Sequence, residues 1–88
     1  MEQNTNLPAE SSIVNTIKQH IITHYEPCTF AEASVRLSNE ELFELIMRAF
    51  PNDEFNREAL YLFMKDQGFE YVELTAFKFN WAMRKKIL

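Results

Sequence analysis

Between Glu58 and Lys86 the sequence changes period once. EALYLFMKDQ spaces its apolar residues at helical intervals, whereas FEY and FKFNWAMRKK alternate large apolar side chains with polar ones. The two patterns meet at Gly68, the only glycine in the chain. Glycine just past a helix is the usual residue for a left-handed terminator, because it lacks the Cβ that opposes that conformation. Helix, corner and folded-back β ribbon is therefore the expected order. On the ribbon, Phe77, Phe79, Trp81 and Met83 share one side, while Lys78, Asn80, Ala82 and Arg84 face the other way.

Upstream, Ile13, Ile17, Ile21 and Tyr25 recur every fourth residue, with Val14 and Ile22 widening the stripe. Ser11 or Ser12 can cap the start, and Glu26-Pro27 ends the run because the residue before proline is pushed out of the helical region. The spacing predicts a helix over 12–25. Cys28 to Leu37 reads two ways. Ala31, Ala33, Val35 and Leu37 alternate with polar residues, as in a half-buried strand. Thr29-Phe30-Ala31-Glu32 also matches a capping box that would start a helical turn. A strand over roughly 33–37, following such a turn, reconciles them.

Ser38-Asn39-Glu40-Glu41 is a second capping box, followed by a stripe of Leu42, Leu45, Ile46 and Ala49 with Phe43 and Met47 beside it. Phe50-Pro51 stops this helix near Ala49. Asn52 or Asp53 is the expected cap of the third helix, whose buried side is expected to hold Phe55, Ala59, Leu62 and Phe63, helped by Leu60. Residues 1–10 are polar and aperiodic, and are expected to form a flexible tail ahead of a single domain over 11–88.

The expected fold is α+β, in the order helix-strand-helix-helix-strand-strand, with a small antiparallel sheet. In that order the chain resembles the winged-helix (winged helix-turn-helix) family over about residues 12–86. LSNEELFELIMRAFPNDEFNREALYLFMKDQGF stands as the paired helices and FEYVELTAFKFNWAMRKK as the hairpin. LYLFMKDQGFEY followed by FNWAMRKK is loosely similar to small modules of phage and mobile-element replication proteins. Many members of the family bind duplex DNA, with the third helix in the major groove and the wing on the backbone or minor groove; others bind proteins.

Carried onto this chain, the resemblance implies a nucleic-acid surface of Asn56, Arg57, Tyr61 and Lys65 on the third helix, with Lys78, Arg84, Lys85 and Lys86 beside the wing. Asn56 and Arg57 would read bases through paired hydrogen bonds, and the lysines would hold phosphates. The alternative is a winged-helix protein-interaction module, as a monomer or a dimer, that uses its acidic helices or a free sheet edge.

Charge bears on that choice. The net charge is −4, but residues 77–88 carry four bases and no acid, while residues 1–76 carry five bases and thirteen acids, a balance of −8. Carboxylates near phosphate oppose the counterion release that drives polyanion binding. Glu40, Glu41 and Glu44 suit the first turns of a helix and equally suit docking of a basic partner.

No phosphate-binding glycine loop and no paired nucleophile and base is present, so no enzyme, cofactor or small-molecule substrate is expected. His20, His24 and Cys28 lie four apart, yet Pro27 breaks the helix before Cys28, so no metal is expected either. With one cysteine, no apolar run of about 20 residues and no basic-apolar leader, the chain reads as a cytoplasmic protein outside the membrane.

Overall fold

The computed structural model describes residues 11–87; the expected tail over 1–10 and Leu88 lie outside them. Within them the chain is a small α+β unit. Its elements run α1 (Ser12–His24), β1 (Tyr25–Pro27), a 3-10 turn (Phe30–Glu32), β2 (Val35–Leu37), α2 (Asn39–Ala49), α3 (Arg57–Asp66), β3 (Glu70–Thr75) and β4 (Lys78–Lys85).

All strand pairs are antiparallel and all involve β4. Because β2 and β3 both pair with Trp81 and Ala82, they occupy opposite edges of β4. β1 lies across β4 from β2 and so extends the β3 edge, with Tyr25 opposite Lys85 and Pro27 opposite Met83. The sequence pattern predicts helix to Tyr25 and a connection at Glu26-Pro27, whereas Tyr25–Pro27 is strand β1. Three residues carry no periodicity; they become a strand because the end of β4 offers an open edge. Proline, lacking an N–H, sits at the last position, where no ladder bond is lost.

The ambiguous stretch contains both of its readings in sequence. Phe30–Glu32 is a turn, closed by backbone bonds from Glu32 N–H to Thr29 O (3.1 Å) and from Ala33 N–H to Phe30 O (3.2 Å). The Thr29 side chain makes no capping bond, and the strand begins at Val35 rather than 33. Arg36 locks the turn to β2: its Nη2 donates to Phe30 O at 2.8 Å and its guanidinium lies 4.4 Å from the Phe30 ring centroid.

The Ser38 capping box is complete. Ser38 Oγ accepts from Glu41 N–H at 3.0 Å, and Glu41 Oε1 accepts from Ser38 N–H at 2.9 Å. The buried stripe of α2 is rotated from the expected one: Leu42, Phe43 and Ile46 are buried, while Leu45 is 42% exposed. Burying the Phe43 ring removes more apolar area from water than burying a leucine would.

Asn52 shapes the following loop without capping α3. Its Oδ1 accepts from Glu54 N–H (2.9 Å) and Phe55 N–H (2.8 Å). The cap is Asn56, whose Oδ1 accepts from Ala59 N–H at 2.8 Å. α3 thus starts later than expected, and the buried Phe55 packs from the loop. Leu60 and Met64, spaced i,i+4, form its buried side; Leu62, expected inside, is 58% exposed.

Gly68 is the corner the sequence announces. Its φ is 89°; its N–H donates to Lys65 O and the next N–H, of Phe69, donates to Met64 O, both at 3.1 Å. That pair of bonds is a Schellman termination, and Phe69 and Met64 both enter the core beside it. In β4, Trp81 and Met83 are fully buried, and Trp81 Nε1–H donates to Asn39 Oδ1 at 3.0 Å. The inward stripe does not reach Phe77. The strand starts at Lys78, and Phe77 occupies the two-residue turn with φ 65° and 93% exposure.

Candidate nucleic-acid interface and the hairpin groove

Several of the eight side chains expected to touch nucleic acid are already engaged within the chain. Asn56 accepts the Ala59 amide, so its carbonyl is already used as the helix cap. Arg57 forms a two-pronged pair with Glu40 across the α2–α3 contact, with Nη2 2.8 Å from Oε2, and its guanidinium lies 4.5 Å from the Phe43 ring centroid. The Arg57 hydrogen bond holds the Glu40 carboxyl below its usual range. The same bond raises the Arg57 pKa, with the charge of Glu44 adding to it. Arg57 is therefore matched by carboxylates on α2.

Arg84 repeats the arrangement at the other end of the sheet. Its Nε donates to Glu26 Oε2 at 2.8 Å and its Nη1 lies 3.9 Å from Glu32 Oε1. The bond to Glu26 raises its pKa. Lys86 Nζ donates to the carbonyl of Ile22, beyond the end of β4. Tyr61 packs edge-on against Tyr71 and beside Trp81, both with ring centroids 5.6 Å away, and remains 36% exposed.

Lys65, Lys78 and Lys85 are exposed, and no ion pair among the described residues involves them. Lys65 lies in the last turn of α3, and Lys78 and Lys85 stand at opposite ends of β4, roughly 23 Å apart at the usual strand rise. His20 and His24 lie with ring centroids 4.3 Å apart, and His24 Nδ1 bonds to His20 O at 2.9 Å. Burial, with the neighbouring His24, lowers the His20 pKa. Cys28 is free and half-buried, and no cluster of three metal-binding side chains exists among the described residues. No described helix is long and apolar enough to cross a membrane.

What the structure does bring together lies at the free end of the hairpin. A hollow of about 450 Å³ opens between the start of α2 and the hairpin, lined by Glu40, Glu41, Tyr71, Leu74, Phe77 and Phe79 among others. Tyr71 and Phe79 stack across the strands with centroids 5.2 Å apart and planes 20° from parallel, giving the hollow an aromatic floor. Leu74, 46% exposed, sits at the register shift between Glu73 and Thr75, and Phe77 stands at the lip. Glu73 Oε2 accepts from Phe77 N–H at 3.3 Å and braces the turn. A left-handed conformation costs a residue with a side chain about 1–2 kcal/mol, and the exposed Phe77 ring gains no burial within the chain to offset it.

This groove was missed in the sequence because strand alternation, counted back from Trp81, assigns Phe77 to the core. The available signal was the two-residue spacing of Ala76 and Phe77 between alternating runs, a hairpin position that usually demands a positive φ. No protein-family model matches the chain, and no significant match to it was found among the curated proteins or the solved structures.

Proposed function

We propose that the chain is a winged-helix protein-interaction module, non-catalytic, that docks protein rather than reading DNA. The element order supports the winged-helix reading: β2 pairs with the last strand of the hairpin, and α2 and α3 pack ahead of it. The choice of partner rests on one observation. Both arginines of the candidate nucleic-acid set already face carboxylates, Arg57 with Glu40 and Arg84 with Glu26 and Glu32. Four lysines of the set, Lys65, Lys78, Lys85 and Lys86, keep their charge, and four phosphate contacts would give a salt slope of only about −3.6 and weak binding at physiological salt. The exposed apolar side chains Leu74 and Phe77, by contrast, gather around one hollow.

The test is a photo-cross-linking amino acid at Leu74, activated in cells, with a titration against mixed-sequence duplex DNA at about 50 and 150 mM salt alongside. The adduct is expected to be destroyed by protease and to survive nuclease, and DNA affinity is expected to vanish at the higher salt. A nuclease-sensitive adduct, or micromolar DNA binding at about 150 mM salt, overturns the proposal.

A further inference from the structure

From the hairpin end we infer that the hollow's occupant is a second copy of this chain, in a weak twofold dimer built on reciprocal insertion of Phe77. The inference rests on the protein-docking reading above and names the partner.

A twofold interface must be complementary to itself: whatever projects from the patch needs its receptacle in the same patch. The hairpin end meets that condition in shape. Phe77 projects almost fully into solvent, and directly beside it lies a hollow floored by the Tyr71–Phe79 stack and walled by Leu74. It meets the condition in charge as well. Lys78 and Glu41 line the same hollow, so a twofold turn can bring the lysine of each copy to the glutamate of the other. Lys78 is in no ion pair among the described residues, and Glu41 spends one oxygen on the Ser38 amide and keeps the other.

Size sets the class of interface. Two inserted phenylalanines bury on the order of 300–500 Å² between them. With the remaining lining residues the interface falls below the standard size of specific complexes, about 1,600 Å² in total. The dimer is accordingly of the weak, transient class and concentration-dependent.

The experiment is sedimentation equilibrium on the full chain from about 5 µM to 1 mM, with three variants. Phe77→Asn removes the ring and keeps a residue that accepts the left-handed turn. It is expected to weaken association at least ~30-fold while melting no lower than the parent, so misfolding cannot explain the loss. Lys78→Glu and Glu41→Lys are each expected to weaken association about tenfold, and an equimolar mixture of the two to restore it. A chain monomeric up to about 1 mM, undiminished association in Phe77→Asn, or a mixture that associates no better than its components overturns the dimer. A monomer whose Leu74 cross-links a different protein would leave the interaction module standing, whereas nuclease-sensitive adducts would remove that reading instead.

Discussion

Replacing Asn39 tests how the hairpin groove is held in place. Asn39 is the first residue of α2, and its side chain faces two other elements. Its Oδ1 accepts from the indole N–H of the fully buried Trp81 at 3.0 Å, and its Nδ2 donates to Arg57 O at 3.1 Å. Asn39→Ala strands the indole donor, and an unpaired buried donor costs about 1–3 kcal/mol. The Arg57 carbonyl belongs to an exposed residue, where water can replace the lost donor, so its share is small. The expected total is about 2 kcal/mol, which at a urea m-value of about 1.3 kcal/mol/M lowers the midpoint by roughly 1.5 M. Asn39→Asp keeps an acceptor for the indole and places a negative charge in the first helical turn, so it should lose less than half as much. Urea unfolding followed by circular dichroism measures both, and the cycle with Trp81→Phe isolates the bond. In the Trp81→Phe background Asn39→Ala should cost only a few tenths of a kcal/mol. If Asn39→Ala costs the same in both backgrounds, or if Ala and Asp are equally damaging, the indole bond is not what fixes β4 to α2.

Three further outcomes follow from the same geometry. Gly68→Ala meets no atom within 4 Å of the added Cβ, so its cost is that of the φ of 89° alone. About 1 kcal/mol, or a melting point lower by roughly 4–8 °C, is expected. Because the folded His20 pKa is depressed, the unfolded chain binds the extra proton first as pH falls. Stability is therefore full above the ordinary histidine value near 6.5 and declines below it, toward the depressed folded value. Urea midpoints between pH 7.5 and 5 should fall in the parent and fall less in His20→Gln. The double variant Glu26→Gln, Glu40→Gln removes the hydrogen-bonded carboxylate from Arg84 and from Arg57, leaving Glu32 3.9 Å from Arg84. Its DNA affinity at about 50 mM salt should exceed the parent's, with the salt slope steeper by up to about 1.8; an unchanged titration would show that carboxylate pairing is not what suppresses DNA binding.

Local chemistry was legible in the sequence wherever a residue acts on its own segment. The Ser38–Glu41 box, the Gly68 termination and the break before Pro27 each need only neighbours within five positions, and each formed as the residue types require. The misreadings need partners that a local pattern does not contain. β1 exists because β4 supplies an edge 58 residues later, and the same separation joins Glu26 to Arg84. Arg57 looked free to read bases until α2 folded Glu40 against it. Leu62 satisfies a helical stripe with Ala59 and Met64 satisfies one with Leu60, and only the position of the sheet decides which turns inward. The fold order was thus readable from propensity and capping. The state of each candidate contact residue depended on tertiary pairing.

That difference bears on how charge should be read in a domain of this size. The +4 at the end of the chain looks like a phosphate-binding surface when counted along the sequence. The antiparallel pairing of β4 with β1 sets Arg84 opposite Glu26, and the 3-10 turn brings Glu32 to the same guanidinium. Each such pair is exposed and contributes little to stability, yet it changes what the surface can attract. At Arg57 and Arg84 a polyanion competes with a carboxylate already in place. The hairpin end carries no comparable competitor: among the described residues, no cation lies over the Tyr71–Phe79 stack, and the Phe77 ring is left in water. Leu74 and Phe77 leave apolar surface exposed there, which a second protein surface would cover better than a phosphate backbone would.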